Sequence, residues 1–280
     1  MIVHLVDGTY ELFRHFHGLR RFTTDARRPL GAVAGVVGTV LGMIEEGATH
    51  VGVATDHVIE SFRNGLWPGY KTGAGIEPAL FAQFHPLEDA LRSLGVAVFA
   101  MTDLEADDAL AAAAHVADAD ADVDKVCIWT PDKDLAQCVR DDRVVQVDRK
   151  AKVIRDAAGV RAKFGVDPSH IPDYLALVGD AADGYPGIAG IGAVTAARLI
   201  GRHGRIEDFP DAVLGAQRPL ALLFKDLATL RADADVIDDV DALRWRGPQP
   251  SFDAWAPRLQ SERLPERARK AAAALAAVSR

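Results

Sequence analysis

Short apolar runs alternate with helix-patterned stretches through the first half of the chain, and this alternation limits the fold more than any single motif. IVHLV (Ile2 to Val6), HVGVAT (His50 to Thr55), VAVFAM (Val96 to Met101), KVCIWT (Lys125 to Thr130) and RVVQV (Arg143 to Val147) have the length and composition of buried strands. Helical patterns lie between them, among them Pro78 to Ser93 and Glu105 to Ala117. Such alternation predicts an α/β fold, a parallel sheet flanked by helices, whose ligands collect beyond the carboxyl ends of the strands. Acids stand at those ends. Asp7 follows the first strand and Asp56 the second; Glu105, Asp107 and Asp108 come soon after the third, and Asp132 and Asp134 follow the fourth.

After about Phe164 the pattern changes to helices and turns, which divides the chain into an α/β part, 1–165, and a helical part with a C-terminal tail, 166–280. VDPSHIPDYLALVGD reads as a proline-started helix, GAVTAARLIGRHG as a short helix with a glycine stop, and LPERARKAAAALAAVSR as one more helix. Between the first two lies VGDAADGYPGIAGIG. Asp180 and Asp183, three apart, can share one face of a helical turn and complete the acidic rim from the second part. The glycines after them let backbone N–H groups approach a phosphate at the next helix start. The plainer reading is a glycine-rich connection between helices.

Each acid also has a plain reading. TPDKDL and EADDAL both suit helix starts, with Thr130 as cap, Pro131 in the first turn and acids favoured by the helix dipole. Crowded together, however, like charges raise one another's pKa and cost stability, which calls for a cation among them. Oxygen ligands without a Cys/His set favour Mg²⁺ or Mn²⁺, and two such ions can serve phosphodiester hydrolysis. The formal charge of -8 at first argues against a polyanionic partner. Setting aside the nine rim acids leaves 31 of the 40 acidic residues against 32 basic ones, so a metal-loaded rim no longer repels a phosphate backbone. Cys127 and Cys138 form no CxxC pair and read as packing residues in a reducing compartment. The start, MIVHLVDGTYELFRHF, has neither a basic leader nor a spanning helix and predicts a cytoplasmic chain. His15 and His17 have no metal-binding companions nearby and are expected to pack or face solvent.

VDGTYELFRHFH, TDHVIESFRNGL, Tyr70-Lys71, LEADDAL, TPDKDLAQCV and GDAADGYPGIAGIG, in this order and spacing, resemble the 5'-3' exonuclease and flap endonuclease family, bacterial forms above all. The resemblance runs from Met1 to about Trp245. It implies a PIN-like catalytic domain followed by a helix-three-turn-helix that grips duplex DNA, with a potassium ion at the turn. It implies metal ligation by Asp7, Asp56, Glu105, Asp107, Asp108, Asp132, Asp134, Asp180 and Asp183. Lys71 and Arg14 would balance charge at the attacked phosphate, Arg63 would meet phosphate, and Gly190, Ile191, Gly192 and Thr195 would hold the duplex. The chain departs from the family pattern at Ala74, where bacterial relatives carry arginine, at Val194, where lysine is usual, and at Gly184, which replaces asparagine. Lys71 is the only Lys or Arg from Leu66 to His85, so the helical arch of the family is short of positive charge here.

The expected activity is metal-dependent cleavage of DNA near free 5' ends, flaps or junctions, in replication or repair, by a monomer beside a separate DNA polymerase and ligase and away from membranes. Two other readings stay open: a structure-specific DNA-binding protein with little or no turnover, and a PIN-type ribonuclease. A HAD-type phosphatase lacks its nucleophile, because Leu5 stands two residues before Asp7.

Overall fold

All five apolar runs form strands in the computed structural model, which describes residues 1–18 and 28–278. They are β1 (Ile2–Asp7), β2 (His50–Asp56), β3 (Ala97–Met101), β4 (Lys125–Trp129) and β5 (Val144–Asp148), all parallel. A sixth strand, β6 (Val153–Arg155), adds an antiparallel edge, giving the order β3-β2-β1-β4-β5-β6. Its three residues are too few to show a period in sequence, and Ile154 is exposed. With β1 central and β2 and β4 on either side, the carboxyl ends of three adjacent strands form one rim.

Helix α1 (Gly8–Gly18) begins on the residue after β1, and Asp7 Oδ1 accepts the Tyr10 N–H at 2.8 Å. Helix α2 (Gly31–Glu45) covers the same face of the sheet as α3 (Phe84–Leu94). A single helix expected over Pro78 to Ser93 is instead a four-residue turn, Pro78–Phe81, followed by α3. Pro86 has no N–H to give the Ala82 carbonyl, so the chain restarts rather than runs through. Gln83, at the break, is fully buried and accepts the N–H groups of Ala32 and Val33 at 3.1 and 3.3 Å, closing the start of α2. On the opposite face α4 (Ala106–Ala119) buries a row of alanines against β1, β2 and β4.

The helical half packs α5 (Ile171–Val178), α6 (Ala193–His203) and α7 (Arg218–Ala228) around Leu175, Tyr185, Ile200 and Phe224. Asp173, buried at the start of α5, accepts the Ile206 N–H at 2.9 Å and pairs with Lys225 at 2.7 Å. Beyond α7 the chain returns to the sheet. Leu230, Val240 and Leu243 join the core under α4, whereas Phe252, Trp255, Leu259 and Leu264 pack under α2 and α3, the last leading α8 (Arg263–Val278). Among the described residues no helix is long and apolar enough to cross a membrane.

Candidate metal centre

The rim gathers acids from both halves of the chain. Carboxylate oxygens of Asp107, Asp132 and Asp134 lie within 4.8 Å of one another, as do those of Asp134, Asp180 and Asp183. Asp134 belongs to both groups, so two cations bound there would share it. One of its oxygens, Oδ1, is buried without a hydrogen-bond donor. Burial, followed by Asp132, Asp183 and Asp180, pushes the Asp134 carboxyl well above the ordinary range. Burial together with Asp132 and Asp7 does the same to Asp107. A hard divalent cation fits this set: it takes oxygen ligands, satisfies the orphaned oxygen and offsets the repulsion.

Neighbouring acids add to the negative field. Asp7 accepts the Thr130 hydroxyl at 3.0 Å, and burial reinforced by Asp56 and Asp132 pushes its carboxyl up to about 7. Asp56 accepts the Ala106 N–H at 2.8 Å and is likewise raised by burial, against the pull of Lys71. Neither belongs to the two close groups, although both come from the same rim.

Local sequence explains how Asp180 and Asp183 reach the sheet. Val178 ends α5, and the chain turns back so that Asp180 and Tyr185 pair as an isolated bridge. Gly179 and Gly187, both at positive φ, cross so closely that a Cβ on either would stand 2.4 Å from the other strand's backbone. Gly184, at φ +85°, lies beside the segment carrying Lys71: its Cβ would stand 2.0 Å from the Gly69 carbonyl, its own carbonyl accepts the Trp67 indole N–H at 3.0 Å, and Asp183 O accepts the Lys71 N–H at 2.9 Å. Glycine at 184 is therefore a packing requirement of this chain. Lys71 Nζ sits between Glu105 at 2.8 Å and Asp183 at 3.0 Å. Burial would strip its proton, but Asp183 and Glu105 hold it well above the usual lysine range.

Two residues of the expected site are engaged within the protein. Arg63 is 1% exposed and does not face solvent. It makes a bidentate pair with Asp108, both contacts at 2.7 Å, and donates to the Leu227 and Thr229 carbonyls. It ties the start of α4 to the end of α7. Asp108, fully buried, also accepts the N–H groups of Glu105 and Arg231, so each of its oxygens already has two donors. Burial would raise its carboxyl, but the Arg63 guanidinium holds it below the ordinary range. Glu105 reaches the rim but is engaged by Ser61 at 2.6 Å, Lys71 and Arg63; burial works against its charge, and the two cations hold it low.

Arg14 pairs with Glu11 at 2.5 Å on α1 and is 27% exposed. His15 bonds to Thr39 at 3.0 Å, and burial lowers its ring to about 4. At the glycine turn Gly190 and Gly192 are exposed, Ile191 and Thr195 half-buried, and Val194 is 85% exposed at the start of α6. Between Leu66 and Phe84 the only helical segment is Pro78–Phe81, so no extended helical arch forms among these residues. Lys133, which sequence reasoning left without a role, pairs with Asp180 at 2.7 Å. Its position inside TPDKDL, between two rim acids, was the available signal.

Two family models match the chain: the 5'-3' exonuclease N-terminal resolvase-like domain over residues 2–165 and the 5'-3' exonuclease C-terminal SAM fold over 166–251. DNA polymerase I of Pseudomonas aeruginosa is 34% identical over 266 residues, which cover 88% of this chain and 29% of the polymerase. The chain thus spans less than a third of that relative. Among solved structures, the 5'-exonuclease of T5 with bound zinc superposes with a TM-score of 0.69 at 20% identity, over 87% of this chain and 96% of that one. The bacteriophage T5 D15 flap endonuclease in a pseudo-enzyme-product complex with DNA and metal ions gives 0.66 at 19% identity, over 97% and 98%. At such identities the likeness is one of fold.

Proposed function

This chain belongs to the 5'-3' exonuclease family, and from that premise we propose that it is a divalent-metal-dependent 5'-3' exonuclease and flap endonuclease acting on DNA near free 5' ends or single-to-double-strand junctions. The observation that carries this reading is the pair of carboxylate groups that share Asp134. In it, Asp107, Asp132, Asp134, Asp180 and Asp183 would hold the ions directly, while Asp7 and Asp56 extend the negative field of the rim. Two Mg²⁺ ions held there would supply water activation and charge neutralisation at the attacked phosphate.

The chain's own residues supply positioning and charge balance. Lys71, kept protonated by Glu105 and Asp183, is the cation at the attacked phosphate, and Arg14 is a second one supplied by α1. Asp7, fixed by the Thr130 hydroxyl and the Tyr10 N–H, does not rotate away from the rim. Gly190, Ile191, Gly192 and Thr195 bring the start of α6 against a duplex phosphate, because unpaired N–H groups and the positive end of the helix dipole favour an anion there. The potassium ion at this turn and the boundary between residues 165 and 166 belong to the same proposal. So do the monomeric state and action beside a separate polymerase and ligase.

A panel of blunt, overhang, flap and nicked DNA substrates with and without Mg²⁺ tests the reading. It predicts Mg²⁺-dependent products from the 5'-flap substrate. Tight flap binding without cleavage in Mg²⁺ or Mn²⁺ would replace it with a junction-binding protein, and preference for RNA at equal salt with a ribonuclease.

A further inference from the structure

A cavity of about 670 Å³ opens beside α1, lined by Tyr10, Phe13, Arg14, His17, Arg149 and Lys150. The first four stand at i, i+3, i+4 and i+7 on α1 and so share one face. Arg149 and Lys150 come directly after β5, on the far side of β1 from β2 and Lys71. The cavity begins at the rim, since Tyr10 donates its N–H to Asp7.

Arg14 is spent on Glu11, but the other two cations of the cavity are not. Neither Arg149 nor Lys150 has an ion-pair partner among the described residues, whereas nearby Glu11 is taken by Arg14, and Asp148 accepts the Ala151 N–H at 2.9 Å. Arg149 carries a buried guanidinium nitrogen, Nη1, with no hydrogen-bond acceptor, and its Cζ lies 5.7 Å from the Trp129 ring centroid. A buried donor left unpaired is costly, and an anion that meets a guanidinium restores a strong, charge-assisted bond. Tyr10 and Phe13 give the same space aromatic walls, which suit a nucleobase or sugar. On the opposite bank, by contrast, Lys71 is the only Lys or Arg from Leu66 to His85, and it is held by two carboxylates.

Resting on the nuclease reading, we infer that this cavity is a phosphate seat for a DNA strand passing over the rim, with Arg149 and Lys150 holding the phosphate and Tyr10 and Phe13 flanking its nucleotide. The cations missing from the Lys71 bank are thereby supplied from the β5 bank.

Fluorescence anisotropy of 5'-flap DNA in Ca²⁺, measured across a salt series, tests the seat. The double variant R149A/K150A is expected to bind ~10-fold more weakly at about 0.1 M salt and to shallow the log-log salt slope by about 1 to 2, with an unchanged melting temperature. The charge-keeping variant R149K/K150R restores most of the affinity. If the difference between parent and R149A/K150A requires a 5'-phosphate on the flap, the seat holds the terminal phosphate; if it persists with a 5'-hydroxyl, the seat holds an internal phosphodiester. Parental affinity and slope in R149A/K150A would overturn the seat alone. Failure of the parent protein to bind flap DNA would overturn the nuclease reading beneath it.

Discussion

The carboxylates of the rim differ in what their neighbours ask of them. Burial and then like charges raise Asp134 and Asp107, whereas Asp108 and Glu105, against the same burial, are lowered by Arg63 and Lys71. The two classes have opposite consequences for stability. An acid raised to about 7, as Asp7 is, binds protons in the folded state that the unfolded state releases near its usual value of 3.8. Stability of the metal-free protein therefore falls as pH rises through that window, while the lowered acids lose their contribution only at more acid pH. Divalent ions cancel the repulsion, so the rise in melting temperature on adding Mn²⁺ is expected to be several degrees larger at about pH 8 than at about pH 6; calorimetry with and without the ion reads it directly. Arg63→Ala leaves Asp108 buried without its counter-charge, and about 3 to 5 kcal/mol of stability is expected to be lost. An unchanged melting temperature with weakened DNA binding would instead return Arg63 to the phosphate.

At the scale of elements, the acids at strand ends were legible because a buried parallel strand has to deliver its next residues to the rim. Strand positions, the helix after Glu105 and the helix after Gly192 follow from the same periodicity. What could not be read was direction within EADDAL: Asp107 and Asp108 are adjacent, and only the packing of α4 against Arg63 turns one inward to a cation and leaves the other toward the metal groups. Nor does spacing reveal that the Asp180 turn and the Lys71 segment touch. That contact makes Gly184 specific. Asparagine tolerates φ +85° better than most residues, yet its Cβ would strike the Gly69 carbonyl. Gly184→Asn is expected to cost about 1 to 3 kcal/mol and to displace Lys71, lowering flap cleavage more than flap binding. A variant as stable and active as the parent would contradict this tight crossing.

Over the whole molecule, the last thirty or so residues complete the core of the first half. Phe252, Trp255, Leu259 and Leu264 are nearly fully buried under α2 and α3, and Trp245 anchors the approach by donating its indole N–H to the Leu94 carbonyl at 2.7 Å. Each such side chain is worth about 1.5 to 3 kcal/mol when buried, and the four together rival the stability of an ordinary domain. Deleting 250–280 is therefore expected to abolish cooperative melting and the near-ultraviolet circular dichroism signal; a truncated chain that melts cooperatively would show the tail to be dispensable. The helical half contributes Asp180 and Asp183 to groups that otherwise come from β4 and α4, so the metal centre exists only when both halves are folded together. If two cation sites share Asp134, a calorimetric Mn²⁺ titration of the parent protein and of Asp134→Asn reads two bound ions per parent chain and weakened binding of both in the variant. Parental stoichiometry and affinity in Asp134→Asn would contradict that sharing.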